Sequence, residues 1–193
     1  MPGESHFLRA KSNERGSAMS TFRELYESDL ARYGKAGTNA YTRRLLRYLR
    51  KIQTAGNPAV KMFYRVLYKR HCEKRGNEIP WLMTIGKGFY VGHPFHISIN
   101  PSVVIGENCN IHKGVVLGQT NRGSRKGAPV IGNRVWIGMN AIVVGQITVG
   151  DDVLIAPGSY VNRDVPPHTL VFGNPAVMKP MENATEKYIE NTV

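Results

Sequence analysis

The stretch IGENCNIHKGVVLG, Ile105 to Gly118, repeats itself: Ile105, Ile111 and Leu117 stand six positions apart, and a glycine follows the first and the third. Working outward, the same beat runs through Ile85, Val91, Ile99, Ile105, Ile111, Leu117, Ile131, Ile137, Val143, Val149, Ile155 and Val161. Seven of these twelve are followed by glycine (Gly86, Gly92, Gly106, Gly118, Gly132, Gly138, Gly150). Four residues after the beat comes a second position, often small or branched, including Val103, Cys109, Val115, Val135, Ala141, Val153 and Ser159. An α-helix cannot keep a period of six on one face, and hairpin-linked strands would not hold turn residues at such fixed offsets. A solenoid does both. Each hexad supplies one short strand and a turn, three hexads close a triangular coil of about 18 residues, and coils stacked about 4.8 Å apart bury the apolar column. Cys109 then points inward and belongs to the core.

The beat slips twice. Eight positions separate Val91 from Ile99, and fourteen separate Leu117 from Ile131. The first slip inserts two residues in VGHPFHI, 91–97; the second expels the loop QTNRGSRKGAP, 119–129. Hexad counting puts the Val91 and Ile111 repeats on one face in successive coils, which makes His93 and His112 neighbours. The Ile137 repeat lies one coil further, with Trp136 at the adjoining corner. The same counting expects Glu78 on that face one coil earlier. His96 reads as a surface or packing residue.

Upstream the texture is helical and basic. TFRELYESDLARYG opens with a capping box, Thr21 to Glu24, sets Phe22, Leu25, Tyr26, Leu30 and Tyr33 on one face and stops at Gly34. A second helix spaces Leu45, Leu46, Leu49 and Ile52; a third starts at Pro58, spaces Val60, Phe63, Tyr64, Leu67, Tyr68 and His71, and ends at Gly76. Between Tyr41 and Gly76 stand eleven Lys or Arg against Glu73 alone, which is +10 of the chain's +12. Either this is a solvated helical face or it is a basic collar that attracts a polyanion or an anionic membrane surface. The division expected is a disordered leader over 1–19, with Met19 a candidate start, a helical segment over 20–77, the solenoid over 78–177 and a tail over 178–193. The polar leader lacks the apolar block of a signal peptide, and no apolar run approaches the roughly 18 residues that span a bilayer. Two cysteines, Cys72 and Cys109, without a CxxC spacing argue against a disulfide framework or a zinc site and make a reducing compartment the default. No metal is proposed.

IGENCNIHKGVVLG, PVIGNRVWIG and DVPPHTLVFGNPA, with a weaker echo in SDLARYG, resemble the hexapeptide-repeat acyltransferases over about residues 78–177. Within that superfamily the chain is most similar to the branch of serine acetyltransferases and capsule or exopolysaccharide O-acetyltransferases. The resemblance implies a mainly β protein, a left-handed parallel β-helix behind a small α-helical segment; the general crossover rule alone would give the opposite hand. It also implies acetyl-CoA as cosubstrate and a homotrimer with sites between chains.

Acetyl transfer from a thioester to an alcohol needs a base for the hydroxyl proton and donors for the oxyanion. No activated nucleophile is evident, so direct attack by the acceptor is the economical route. Histidine suits the base because its ordinary pKa of about 6.5 lies near neutrality. Serine acetyltransferases carry a catalytic histidine in a motif like LDH, oriented by an acid fifteen positions earlier. Here the motif reads VGH, which carries the base role to His93 and the orienting role to Glu78; His112 is the rival. The family also implies Trp136 beside the acceptor, backbone contacts to coenzyme A from Gly138, Met139, Ala156 and Pro157, and phosphate contacts from Arg163 and Lys179. The serine enzymes place Asp before the catalytic His and an Arg-His pair in the expelled loop; Gly92, Gly127 and Ala128 stand there instead. With Arg122, Arg125 and Lys126 in the loop, the expected acceptor is a hydroxyl of an acidic capsular or exopolysaccharide sugar. Serine O-acetylation and a non-catalytic polyanion- or membrane-binding module are the alternatives. A cytoplasmic location, at most peripheral to the inner face of the membrane, follows, with no nucleic-acid partner expected.

Overall fold

Thr21 takes an extended backbone and starts α1, Phe22–Ala31; its backbone N–H reaches Glu24 Oε2 at 2.6 Å while its hydroxyl accepts from the Glu24 N–H at 3.3 Å, which closes the capping box. This computed structural model describes residues 20–193, so the leader expected at 1–19 lies outside the described residues. Asn39 caps α2, Ala40–Thr54, and Asn57 caps α3, Pro58–Glu73, with proline at the first turn as its fixed φ favours.

Each beat residue then sits in a strand only two or three residues long. The strands are β1 (Thr84–Ile85), β2 (Tyr90–Gly92), β3 (Ser98–Ile99), β4 (Val104–Ile105), β5 (Asn110–His112), β6 (Val116–Gly118), β7 (Val130–Ile131), β8 (Trp136–Ile137), β9 (Ile142–Val144), β10 (Thr148–Val149), β11 (Val153–Ile155) and β12 (Tyr160–Val161). Two longer ones, β13 (Thr169–Phe172) and β14 (Val177–Pro180), end the series. They form three sheets, β1-β4-β7-β10, β2-β5-β8-β11-β13-β14 and β3-β6-β9-β12, parallel throughout except between β13 and β14. Ile85 pairs with Ile105, Ile105 with Ile131, and Ile131 with Val149, so the two slips enlarge their own coils and leave the register intact. None of the twelve beat residues is more than 8% exposed. At the second inward position the buried Ser159 hydroxyl donates to the Ala156 carbonyl at 2.7 Å, and Cys109 Sγ lies 3.0 Å from the Gly132 carbonyl. Burial pushes the Cys109 thiol up to about 12, which removes it as a nucleophile at neutral pH.

The helical segment closes the upper end of the solenoid, where the first coil has no coil above it. Such an edge offers unpaired N–H and C=O groups. Tyr33 answers two of them, accepting from the Val91 N–H at 2.9 Å and donating to the Val91 carbonyl at 3.2 Å. Asp29 accepts from Phe89 N–H and the Ser28 hydroxyl from Gly88 N–H, while Arg50 donates to the carbonyls of Ile85 and Gly86. Asp29 and Arg50, both fully buried, also hold each other through two bonds of 2.7 and 2.9 Å. Neither alternative read from the charge foresaw this capping role.

The lower end differs from the expected division. β14 folds back antiparallel on β13, so the boundary set at 177/178 cuts a strand. The segment after it returns over the second sheet. Asp152, 2% exposed, accepts from the Ala184 and Thr185 N–H groups and the Thr185 hydroxyl, and faces His168 Nδ1 at 2.9 Å. Further along, Asn110 Nδ2 donates to the Tyr188 carbonyl, and Asn108 exchanges two bonds with the Val193 backbone. Asp152→Ala is expected to cost about 1–3 kcal/mol and to speed hydrogen exchange at Ala184 and Thr185 far more than at the beat residues. Native-state exchange measures both.

Candidate active site

One edge of the prism, where the second sheet turns into the third, collects most of the candidate residues. His93 follows β2 there, exposed and in the left-handed region at φ 51°. His112 ends β5, and Gly92 pairs with it in register. A Cβ on Gly92 would collide with His112 Nδ1, so the imidazole occupies the space that a side chain before His93 would need. Gly138–Met139 and Ala156–Pro157 follow β8 and β11 at the same edge in the next two coils. The expectation that His93 and His112 are neighbours holds: Gly92, next to His93, pairs with His112, and the charge of His93 is felt at the His112 ring.

His112 sits in an aromatic file. Its ring lies 4.8 Å from Trp136 and 6.1 Å from Tyr90, Trp136 lies 5.0 Å from Tyr188, and Tyr90 stacks on Tyr33 at 4.4 Å. Tyr33, Tyr90, His112, Trp136 and Tyr188, with Arg32, line a cavity of about 310 Å³ between the second sheet and the returning C-terminal segment. Arg32 is engaged by the Gly88 and Glu190 carbonyls and Asn110 Oδ1. His112 Nε2 is buried and without a hydrogen-bond partner among the described residues. Burial first, and the neighbouring His93 second, push its pKa down to about 4, so the ring is neutral at neutral pH and weakly basic.

That depression has a measurable sign. Between about pH 6.5 and pH 4 the unfolded chain binds a proton at His112 that the folded chain does not, so stability falls as pH drops through this window. His112→Asn is expected to remove about 2 kcal/mol of that fall, a figure discounted for the ring's partial exposure. Urea unfolding at pH 7 and pH 4.5 on both proteins measures it.

Glu78 departs from expectation. It pairs with Ser98 on the third sheet's row and not on the second sheet, because Ile79, which follows it, stands two beats before Val91, one short of a full coil. Its carboxylate accepts from the Ser98 hydroxyl at 2.9 Å, and no hydrogen bond joins it to His93 among the described residues. The coenzyme contacts also change character. Gly138 and Ala156 donate their N–H groups to the Ile155 and Val171 carbonyls of the next coil, and Pro157 has no N–H to donate. Arg163 donates to the Ala176 carbonyl at 2.7 Å, and Lys179 is exposed on β14.

The expelled loop leaves at a different edge, between the third and first sheets. Reciprocal bonds between Thr120 and Gly127 pinch its base, and Arg125 reaches Asp164 at 3.4 Å. Arg122 and Lys126 are exposed. The loop cations and His93 therefore lie on separate edges of one chain. Sequence reasoning missed Arg32, Tyr33, Tyr90 and Tyr188 as cavity walls. A signal existed for Tyr90: Tyr90, Asn110 and Trp136 each stand directly before a beat residue of the second sheet and so share its outward column.

Three parallel sheets in hexad coils, with paired histidines at one edge, define a hexapeptide-repeat solenoid. Residues 128–163 match the bacterial transferase hexapeptide (six repeats) family, and the three parallel sheets form a left-handed β-helix of hexapeptide repeats. It is 42% identical over 105 residues to a putative colanic acid biosynthesis acetyltransferase, WcaB, of Escherichia coli K12, which covers 54% of this chain and 64% of that protein. It is 38% identical over 91 residues to a serine acetyltransferase of Synechococcus elongatus, covering 47% of this chain and 37% of that one. Among solved structures, the apo serine acetyltransferase of soybean superimposes with a TM-score of 0.71 at 27% identity, over 90% of this chain and 73% of the soybean chain. The chain spans less than two thirds of the length of these curated relatives.

Proposed function

We propose that the protein is an acetyl-CoA-dependent O-acetyltransferase in which His93 is the general base. The observation that carries this reading is the shared edge, which aligns His93, the aromatic cavity at His112 and the turns at Gly138–Met139 and Ala156–Pro157. The acceptor hydroxyl attacks the thioester carbonyl as His93 takes its proton; the C–S bond then breaks, and the imidazolium returns the proton to the coenzyme A sulfur. His112, neutral and weakly basic, hydrogen-bonds the acceptor or the oxyanion through Nε2. Met139, 46% exposed, and Pro157 offer the pantetheine arm an apolar contact, and Arg163 and Lys179 offer charge to the phosphates. Nothing in this chemistry calls for a metal.

The acceptor we favour is a sugar hydroxyl of an acidic capsular or exopolysaccharide. Trp136 and Tyr188 supply faces on which a pyranose ring stacks, the loop cations Arg122, Arg125 and Lys126 suit an anionic glycan, and the E. coli relative is named for colanic acid biosynthesis. Loop and base on separate edges favour a homotrimer in which the loop of one chain serves the edge of the next. Glu78 is kept as the residue that orients His93 once acceptor and neighbour are bound.

Serine O-acetylation is the second reading, favoured by the names of most relatives and of the superimposed structures. Against it, the side chain that would hold the ammonium before His93 is sterically excluded by His112. Thiol release from acetyl-CoA separates the two. Release with acidic oligosaccharides and not with L-serine supports the first; release with L-serine alone overturns it; release with neither favours a binding module.

A further inference from the structure

Helix α3 has two working faces, and only one of them is used among the described residues. Tyr68, His71 and Cys72 are buried against the solenoid and α2. The opposite face presents Ala59, Met62, Phe63 and Val66, spaced i, i+3, i+4, i+7, with Met62 57%, Phe63 60% and Val66 50% exposed. An apolar stripe at that spacing is the pattern by which a helix buries a face, yet here it meets solvent. Lys69 and Arg70, also exposed, continue the stripe for another turn. On the neighbouring α2, Arg43, Arg44 and Arg47 are exposed, and the charge of Arg44 is felt at His71 on the packed side of α3.

These cations differ from their neighbours in the segment. Arg50 is buried on Asp29, Arg75 lies over Tyr41 at 3.9 Å and Phe95 at 4.3 Å, and Arg65 lies over Trp81 at 5.6 Å. Arg43, Arg44, Arg47 and Arg70 enter no ion pair among the described residues, and Lys69 reaches only Glu73, at 4.0 Å. We infer that the exposed face of α3, with the arginines of α2, docks the protein on an anionic lipid bilayer, helix axis in the membrane plane, Met62, Phe63 and Val66 at the headgroup boundary. No helix of the described residues is long and apolar enough to cross a membrane, so the contact is peripheral. Charge selects this occupant. A second copy would bring like charges together around an apolar seam, whereas a bilayer with anionic headgroups accepts both the apolar side chains and the cations. A nucleic-acid duplex would use the cations and leave the stripe in water.

The test uses the full chain and sedimentation with vesicles of phosphatidylcholine alone or with one quarter phosphatidylglycerol, at low and at high salt. Wild type is expected to bind the mixed vesicles, not the neutral ones, and to be released by salt. The triple change Met62→Gln, Phe63→Gln, Val66→Gln and the triple change Arg43→Gln, Arg44→Gln, Arg47→Gln are each expected to weaken binding by about tenfold or more with thermal unfolding unchanged. Equal binding to neutral vesicles, or undiminished binding by either variant, overturns the proposal. So does a lower oligomeric state of the apolar variant by light scattering, which would make the stripe a contact between copies, or displacement from vesicles by a DNA duplex that the apolar variant binds as well as wild type. Thiol release with soluble acceptor is expected to be unchanged in both variants, which keeps this inference separable from the proposed activity.

Discussion

His93→Ala is expected to lower the turnover of acetyl transfer by about 10²–10⁴-fold, the usual contribution of a positioned general base, with little change in the KM for acetyl-CoA. His112→Ala is expected to act differently, raising the KM for the acceptor and lowering turnover by less. The distinction rests on the pKa of about 4 that burial and His93 impose on His112. A base that weak removes a hydroxyl proton poorly in the transition state, whereas a neutral ring with an unpartnered, buried Nε2 is suited to hold an acceptor. The profile of kcat/KM against pH gives the independent readout. An acidic limb centred near pH 4 that disappears in His112→Ala would assign the base to His112 and sink the assignment to His93. Glu78→Gln adds a further constraint: if the carboxylate stays on the Ser98 hydroxyl throughout turnover, the variant keeps wild-type turnover, and Glu78 has no orienting role.

The solenoid was legible because its core is a one-dimensional pattern: one branched residue per hexad, each with its own strand, survives two insertions without losing register. The neighbourhood of His93 and His112 was legible for the same reason, since residues one coil apart on one face must touch. Glu78 was misplaced by one hexad: Ile79 stands two beats before Val91 and not three, which puts Glu78 in the row of Ser98. Tyr188 and Arg32 were illegible as cavity walls: they reach the second sheet from opposite ends of the described chain, and nothing local records that meeting. The basic helices were read as a field, and a field hides the individual. Arg50, counted with the other cations, is a buried structural group, while Val60 and Phe63, counted as periodic apolar residues, lie outside the core.

Asp29→Ala is expected to destabilise the fold by about 3–5 kcal/mol, the cost of stranding one partner of a buried ion pair. The fully buried Arg50 would keep its charge with no carboxylate beside it, and the Phe89 N–H would lose its acceptor. Replacing both residues with apolar ones, Asp29→Leu with Arg50→Met, is expected to recover part of the loss by removing the stranded charge. Recovery stays incomplete because the carbonyls of Ile85 and Gly86 and the Phe89 N–H lose their partners in either case. The partial rescue distinguishes a pair that also caps the solenoid from one that only ties α1 to α2: in the second case the double change would approach wild type in urea. The consequence reaches the site through β2. Its Val91 groups depend on Tyr33, and Tyr33 is held in place by the same end of α1 that Asp29 fastens. Loosening that cap frees the strand that carries His93, so the single variant is also expected to show faster hydrogen exchange at Phe89 and Val91 and a lower turnover at temperatures where it remains folded. Unchanged exchange at Val91 in a destabilised variant would confine the pair's role to the helices.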